Sequence, residues 1–138
     1  MITDLPITCT WEPTFNQNNT GSILTVYTGG NHGAEFSKLS NEDRVATAIS
    51  QVDKVFPGSA KHVLAAKTIA WINESFSQGG YLSFATGQVV PHWNTLRESV
   101  GRLYFAGEHT AVNQGFMDGA VESGQRAAKE ILQRESRQ

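Results

Sequence analysis

The spacing of hydrophobic and polar positions in residues 1–56 predicts two strands followed by an amphipathic helix. Apolar-rich runs at 5–11 and 22–28 are separated by a proline and a turn-rich segment at 16–21, which favours a hairpin. Ser40 then has the chemistry of a helix N-cap, and Pro57-Gly58 ends the helical pattern. The apolar stripe of this predicted helix consists of Val45, Ala48, Ile49, Val52, Val55 and Phe56.

The pattern beyond residue 60 predicts further extended segments and a terminal helix. Residues 62–71 have the pattern of a strand, 73–80 of a polar loop, and 81–84 of a short extended piece. Residues 103–106 predict a short apolar strand that ends at Gly107-Glu108, and an amphipathic helix opens at 115–117 and continues to Leu132. Ligands of open parallel sheets lie beyond the carboxyl ends of strands, and a helix N-terminus faces negative charge. The chain is therefore expected to be of mixed α/β class, with a cofactor-binding layout near its C-terminal end.

Small residues mark one face of the terminal helix. Gly119 and Gly124 each disfavour a helix by ~1 kcal/mol relative to alanine, so we expect another part of the protein to approach their backbone closely. The remaining small residues of this face are Ala120, Ser123, Ala127 and Ala128, and the polar residues expected on the solvated face are Asp118, Glu122, Gln125, Arg126, Lys129 and Glu130. The small-residue face is suited to packing on a sheet.

Composition excludes several classes of function. The chain has 138 residues, 39% of them hydrophobic, with a net charge of −2, which gives no basic surface for nucleic acid or anionic lipid. No apolar run approaches the ~18 residues that cross a membrane, and the first four residues lack the basic start of a signal peptide. A cytoplasmic location is therefore expected. Cys9 is the single cysteine and is predicted to be a small core residue.

The remaining polar residues do not predict another catalytic site. The four histidines show no metal-ligand spacing, so no metal site is expected. Ser83 and Ser123 lack the sequence context of a nucleophile elbow.

Two motifs near the C-terminal end resemble a known signature. Residues 105–110, Phe-Ala-Gly-Glu-His-Thr, and residues 115–124, Gly-Phe-Met-Asp-Gly-Ala-Val-Glu-Ser-Gly, resemble the C-terminal FAD-binding signature of the flavin amine oxidase superfamily. The resemblance implies that residues 96–138 form the last strand and C-terminal helix of an FAD-binding, Rossmann-like domain. It also implies that residues 1–95 are part of the substrate-binding domain, with a mixed sheet and a helix.

The resemblance assigns roles to five residues of the terminal motifs. The backbone amide of Met117 is expected to meet the flavin carbonyl next to N1, where the helix dipole favours negative charge. Glu108 corresponds to the acid near the ribityl and pyrophosphate part of FAD, and Gly107 lets the backbone come close. Phe116, with Gly115 beside it, corresponds to an aromatic wall on the substrate side of the flavin.

Further residues extend the resemblance over nearly the whole chain. Trp71 and the Gly80-Tyr81 pair resemble the tryptophan and glycine loop lying against the flavin, with Tyr81 as a candidate opposing wall.

Two features depart from the family pattern. Gly80 stands where monoamine oxidases have the cysteine that bonds to FAD, so a noncovalent flavin is expected. The proline often found after the tryptophan is replaced by residues 74–76, Glu-Ser-Phe. Residues 3–7, Thr-Asp-Leu-Pro-Ile, resemble a segment that recurs in L-amino-acid oxidases. Of the subfamilies, L-amino-acid oxidases therefore fit this sequence best.

The nucleotide-binding turn of such enzymes has no counterpart in this sequence. Residues 29–33 are glycine-rich, but they lack Gly-x-Gly-x-x-Gly spacing, and no glycine-opened helix is predicted after them. One hypothesis is a C-terminal fragment or subunit of an FAD-dependent amine or L-amino-acid oxidase, which needs a complementary N-terminal polypeptide and acts on a small amine or amino acid. The alternative is a noncatalytic relic or interaction module that self-associates without FAD.

Overall fold

A β-hairpin forms the N-terminal end of the fold. The computed structural model describes residues 1–18 and 21–136. β1 (Cys9–Trp11) pairs antiparallel with β2 (Thr25–Tyr27), so that Thr10 lies opposite Val26. The predicted hairpin is confirmed, although each strand is shorter than its apolar run; residues 19 and 20 of the predicted turn lie outside the described residues.

A short helix follows the hairpin where the sequence pattern did not predict one. α1 (Gly30–Ser37) begins in the glycine-rich segment, and the Gly33 amide donates to the Gly29 carbonyl at 3.0 Å. The expectation that no glycine-opened helix follows this segment was therefore wrong. Glycines lower intrinsic helix propensity, but burial of Phe36 at the far end of α1 supplies tertiary packing that outweighs this cost.

The predicted helix after Ser40 is confirmed as α2 (Asn41–Val55). The Ser40 hydroxyl accepts a hydrogen bond from the Asp43 amide at 3.0 Å, as an N-cap does. Arg44 is buried, and its guanidinium donates to the carbonyls of Phe36 at 3.0 Å and Leu39 at 2.9 Å. These bonds fasten the end of α1 and the loop after it to α2.

The opposite end of α2 is fastened to the N-terminal segment and to the loop that follows. The Gln51 side-chain oxygen accepts from the Ile7 amide at 3.0 Å, and Ile7 is 0% exposed. Asp53 accepts from the Ala60 amide at 2.9 Å, at the start of a 3₁₀ helix (Ser59–His62). The described residues that are buried in this part of the molecule are Ile7, Thr10, Thr14, Phe36 and Arg44.

The strand predicted over residues 62–71 is wrong. The chain leaves the 3₁₀ helix at His62, runs without regular structure, and enters another 3₁₀ helix at Trp71–Asn73. Within the described residues no strand pairs with this segment, and Leu64 is 97% exposed. An apolar run forms a strand only where a neighbouring strand satisfies its backbone, and none is present here.

The described chain falls into two compact units, Met1–Gly79 and Gly80–Gln138. In the second unit, α3 (Val89–His92) is a single turn that the pattern did not predict, and α4 (Met117–Glu135) confirms the predicted terminal helix. The strand predicted over 103–106 is wrong. Among the described residues its backbone pairing is limited to an isolated bridge between Val100 and Leu103.

Residues 81–84 also lie outside any strand. The sheet of the described residues is therefore the antiparallel hairpin β1–β2, and not a mixed sheet. The chain is of mixed α/β class, as predicted. Its membership of a Rossmann-like domain and the division at residues 95/96 stay predictions.

The small-residue face of α4 packs in part as predicted, since Ala128, expected on it, is exposed. Gly119, Ser123 and Ala127 are buried, at four-residue intervals along one face of the helix. Gly124 departs from the expectation, because among the described atoms nothing lies within 4 Å of a Cβ built on it. Arg126, expected on the solvated face, has a side chain only 17% exposed. Within the described residues, no helix is both long and apolar enough to cross a membrane.

Candidate functional site

The Glu108 carboxylate joins two loops of the second unit. Oε1 accepts from the Leu82 amide at 2.8 Å, and Oε2 accepts from the Gly115 amide at 2.7 Å. Glu108 is half-buried and begins a 3₁₀ helix (Glu108–Thr110), which a hydrogen bond from Thr110 to the Gly107 carbonyl closes. Both carboxylate oxygens therefore hold backbone amides that are far apart in the sequence.

Gly107 has a backbone conformation that residues with a side chain rarely adopt. Its φ is +139°, and a Cβ there would lie 2.5 Å from a ring carbon of His109. The Gly107 amide donates to the Ser123 hydroxyl at 2.9 Å, and that hydroxyl donates to the Ala120 carbonyl at 2.8 Å. Ser123 is 0% exposed, so this chain of hydrogen bonds fastens Gly107 directly to the inner face of α4.

The N-terminus of α4 begins beside this junction. Its N-cap is Phe116, whose apolar ring has no oxygen to accept from the amides of the first turn. Phe116 is 61% exposed, and Met117 is 88% exposed. The amides of a first helical turn have a partial positive charge, so this helix end favours a negatively charged or polar acceptor.

The loop before α4 lies against the first turns of the helix. The Asn113 carbonyl oxygen would collide with a Cβ at Gly119, so only glycine permits this approach. Asp118 accepts from the Asn113 side-chain amide at 3.1 Å, and Glu122 accepts from the Val112 amide at 3.2 Å. The predicted close approach at Gly119 is confirmed, and the acids of the outer face hold the loop.

Tyr81 lies next to Gly115. A Cβ built at Gly115 would be 3.9 Å from Cδ2 of the Tyr81 ring, and Gly115 has a φ of +82°. The Tyr81 ring is half-exposed. The segments that carry Tyr81 and Phe116 are thus adjacent, and Glu108 is hydrogen bonded to both.

Arg126 fastens the segment before the junction to α4. Its guanidinium donates to the carbonyls of Phe105 at 2.9 Å and Arg97 at 3.2 Å, to the Thr110 hydroxyl at 3.1 Å, and to Glu130 at 2.9 Å. These contacts hold residues 97, 105 and 110, which lie on both sides of Glu108 in the sequence.

Among the described residues, no three His, Cys, Asp or Glu side chains are grouped so that they could hold a metal ion.

Comparisons with known proteins place this arrangement in a family. The family described as flavin containing amine oxidoreductase matches residues 1–132. This chain belongs to that family. It is 30% identical to the L-amino-acid oxidase of Demansia vestigiata over 94% of the chain and 26% of that protein. It is 31% identical to human amine oxidase [flavin-containing] B over 94% of the chain and 25% of that protein.

Sequence identity is higher over a shorter stretch of the chain. The chain is 39% identical to bovine amine oxidase [flavin-containing] B over 71% of the chain and 19% of that protein. The chain spans about a quarter of the length of the curated relatives that it matches over nearly its whole extent.

In this chain, most of the predicted site residues meet in the second unit. Glu108 and Gly115 are hydrogen bonded, and Gly107 precedes Glu108 in the chain. Tyr81 is adjacent to Gly115. Phe116 and Met117 form the start of α4, and Gly80 precedes Tyr81. Trp71 lies in the first unit and is half-exposed. The contact of each residue with flavin or substrate stays a prediction.

Sequence reasoning missed two residues that organise the site. Ser123 was considered only as a small packing residue or a nucleophile, and Arg126 was assigned to the solvated face. The available signal for Ser123 was its spacing, four residues after Gly119, which places its hydroxyl on the buried face. For Arg126 no local signal exists, because its partners at 97, 105 and 110 are distant in sequence.

Proposed function

We propose that the chain forms the C-terminal part of the FAD site of an amine or L-amino-acid oxidase. The observation that carries this proposal is the 2.7 Å hydrogen bond between the Gly115 amide and Glu108 Oε2. It holds an acidic side chain and a glycine backbone beside a helix N-terminus that its own N-cap side chain cannot satisfy. Family membership independently supports a flavin cofactor.

The residues present fit a flavin. Gly107 and Gly115 both have positive φ angles and no side chain, so the backbone is accessible to a planar group. The first turn of α4 offers amides and a favourable dipole for the polar edge of that group. Exposed Phe116 and Met117 offer apolar surface next to these amides. Gly80 before Tyr81 provides no sulfur for a bond to FAD, which supports noncovalent binding.

Bound FAD supplies the electron acceptor for oxidation of a carbon–nitrogen bond, and O2 accepts the electrons in turn to give H2O2. The proposed role of the residues of this chain is to bind and position the cofactor and the substrate. The Met117 amide would donate to the bound cofactor, and the dipole of α4 would stabilise negative charge there. Phe116 and Tyr81 line the substrate side, hold an apolar group and exclude water.

The names of two relatives support the substrate class. One is named an L-amino-acid oxidase and another an amine oxidase. We propose a small amine or an L-amino acid for this protein. Residues 3–7 favour the amino acid, through their resemblance to L-amino-acid oxidases.

A reconstitution experiment tests the proposal. The 138-residue chain alone should bind FAD weakly in calorimetry, because the ADP half of a dinucleotide is held mostly by a glycine-rich turn that these residues lack. Co-expression with the nucleotide-binding part of a family member should give a yellow complex with flavin absorbance. Micromolar or tighter FAD binding by the chain alone, or a folded complex that retains no flavin, would overturn the proposal.

Variants of Phe116 separate substrate binding from cofactor binding in that complex. Phe116→Ala should lower turnover of L-amino acids or amines while flavin absorbance per protein stays nearly constant, because the ring faces substrate. Phe116→Tyr restores the aromatic wall and should restore most of the turnover. Loss of flavin in Phe116→Ala with normal turnover per remaining flavin would show that Phe116 has a different role.

A further inference from the structure

We propose that Glu108 is a positioning residue that sets the gap between the segments carrying Tyr81 and Phe116. This role is separate from its predicted contact with the cofactor. It follows from the two hydrogen bonds of the Glu108 carboxylate, one to the Leu82 amide and one to the Gly115 amide.

We call the two hydrogen bonds of the Glu108 carboxylate the clamp. The sequence positions of the two amides explain why it sets the gap. Leu82 directly follows Tyr81, and Gly115 directly precedes Phe116. Each candidate wall residue is therefore one peptide bond from an amide that Glu108 holds. The two carboxylate oxygens have a fixed covalent separation, so they also limit the separation of the two amides.

The clamped segments have little other regular structure to hold them. Residues 81–84 and 111–116 lie outside helices and strands, so no ladder of backbone hydrogen bonds fixes them. Glu108 itself is anchored, because Gly107 is fastened to α4 through Ser123. Asp118 and Glu122 of α4 hold the Asn113 side chain and the Val112 amide, whereas the Glu108 carboxylate connects the Leu82 and Gly115 amides to each other.

A carboxylate is the side chain that this geometry requires. It presents two oxygens that only accept, so both can face N–H groups. Glutamine has nearly the same shape but one acceptor and one donor, so it can hold one of the two amides while its NH2 opposes the other. Glu108→Gln should therefore break one half of the clamp while it preserves the size of the side chain.

Amide hydrogen exchange by NMR tests the clamp in the 138-residue chain, without flavin or turnover. Exchange of the Leu82 or the Gly115 amide should accelerate about ten- to a hundredfold in Glu108→Gln, as expected from loss of a hydrogen bond to a charged group. In Glu108→Ala both amides should accelerate. The Gly107 amide, held by Ser123, is the internal reference, and exposed Glu98→Ala is the matched control.

The outcomes distinguish the clamp from a general structural role. Acceleration of the clamped amides with the Gly107 amide unchanged supports the proposal. If Glu108→Ala unfolds the second unit, the isosteric Glu108→Gln variant decides between the clamp and a general structural role. Unchanged exchange at both amides in Glu108→Gln, or equal acceleration at all amides including Gly107, would overturn it.

The consequence for substrate rests on the proposed function and has its own measurement. In the flavin-loaded complex, Glu108→Gln should change the ratio of kcat/KM between a phenylalanine-sized and an alanine-sized amino acid by about tenfold, since the gap between the walls selects for size. Glu98→Ala should leave the ratio unchanged. An unaltered ratio together with accelerated amides would keep the clamp and reject its effect on substrate. If no variant turns over, the proposed function fails while the exchange result still stands.

Discussion

The two long helices begin in opposite ways. α2 starts with Ser40, whose hydroxyl accepts from the Asp43 amide, and two acids lie in its first turn. α4 starts with Phe116, which cannot accept, and its first-turn acid Asp118 is bonded to the Asn113 side chain. The N-terminus of α2 is satisfied by its own side chain, whereas the N-terminus of α4 remains suited to an external acceptor.

The helices also resemble each other in one respect. Each has an arginine that donates to backbone carbonyls outside its own helix. Arg44 bonds to Phe36 and Leu39, which are close in sequence, and Arg126 bonds to Arg97 and Phe105, which are distant. α2 therefore organises a local structure, and α4 is the support on which a long segment and the candidate site are built.

The largest expected effect distinguishes the two glycines within α4. Gly119→Ala should destabilise the second unit by about 2–3 kcal/mol, because the new Cβ would collide with the Asn113 carbonyl. Gly124→Ala has open space and should stabilise α4 by up to ~1 kcal/mol through helix propensity. Urea denaturation, followed by Trp93 fluorescence with Trp11 and Trp71 changed to phenylalanine, measures both. Equal effects of the two substitutions would contradict the packing described for α4.

Removal of the Arg126 guanidinium should have the next largest effect. Arg126→Gln should cost about 2 kcal/mol of unfolding free energy, since it removes several charge-assisted hydrogen bonds to the segment before Glu108. The loss is limited because Arg126 Nε and Glu130 Oε2 already have no hydrogen-bond partner among the described residues. Lys129→Gln, on the exposed side of the same helix, is the control for lost positive charge. A similar cost in both variants would show that charge alone matters.

Exchanging the caps of the two helices directly tests the difference between their N-termini. Ser40→Ala should destabilise α2 by ~1 kcal/mol through loss of its N-cap, whereas Phe116→Ser should stabilise α4 by a similar amount. Phe116 has extended backbone angles of the kind a serine cap adopts, and Phe116→Ala is the control without an oxygen. Amide exchange in the first turn of each helix measures the change. If Phe116→Ser gives no protection beyond Phe116→Ala, the α4 N-terminus is already satisfied.

The smallest expected effect concerns the C-terminal end of α2. The Ala60 amide donates to Asp53 and lowers the pKa of that carboxyl below its usual value of 3.8; desolvation opposes this effect, and hydrogen bonds from Gly58 and Ser59 add to it. Because the folded pKa is depressed, the ionised form stabilises the fold above about pH 3.8 and this contribution is lost as pH falls through the folded pKa. Asp53→Asn should remove this part of the acid dependence of stability. An unchanged slope between pH 5 and 2 would show that other carboxyls account for it.

Local patterns in the sequence were sufficient for elements whose stability is mostly local. The cap at Ser40 and the apolar spacing after it determined α2, and the same spacing determined α4 after residue 116. Alternation and turn residues determined the hairpin, although not its short strands. The motifs at residues 105–110 and 115–124 resemble the signature of the flavin amine oxidase superfamily, and this resemblance indicated the family whose model matches residues 1–132.

Tertiary structure alone decided the elements that depend on distant partners. The runs at 62–71 and 103–106 have strand composition but no neighbouring strand among the described residues, and an unpaired backbone does not become a strand. α1 forms in spite of its glycines because Phe36 is buried. The clamp at Glu108 joins residues separated by 26 positions in the chain, and Arg126 reaches back 29. No local pattern encodes such bonds, since each depends on how the loops and α4 pack, and that packing turns a recognisable motif into a candidate site.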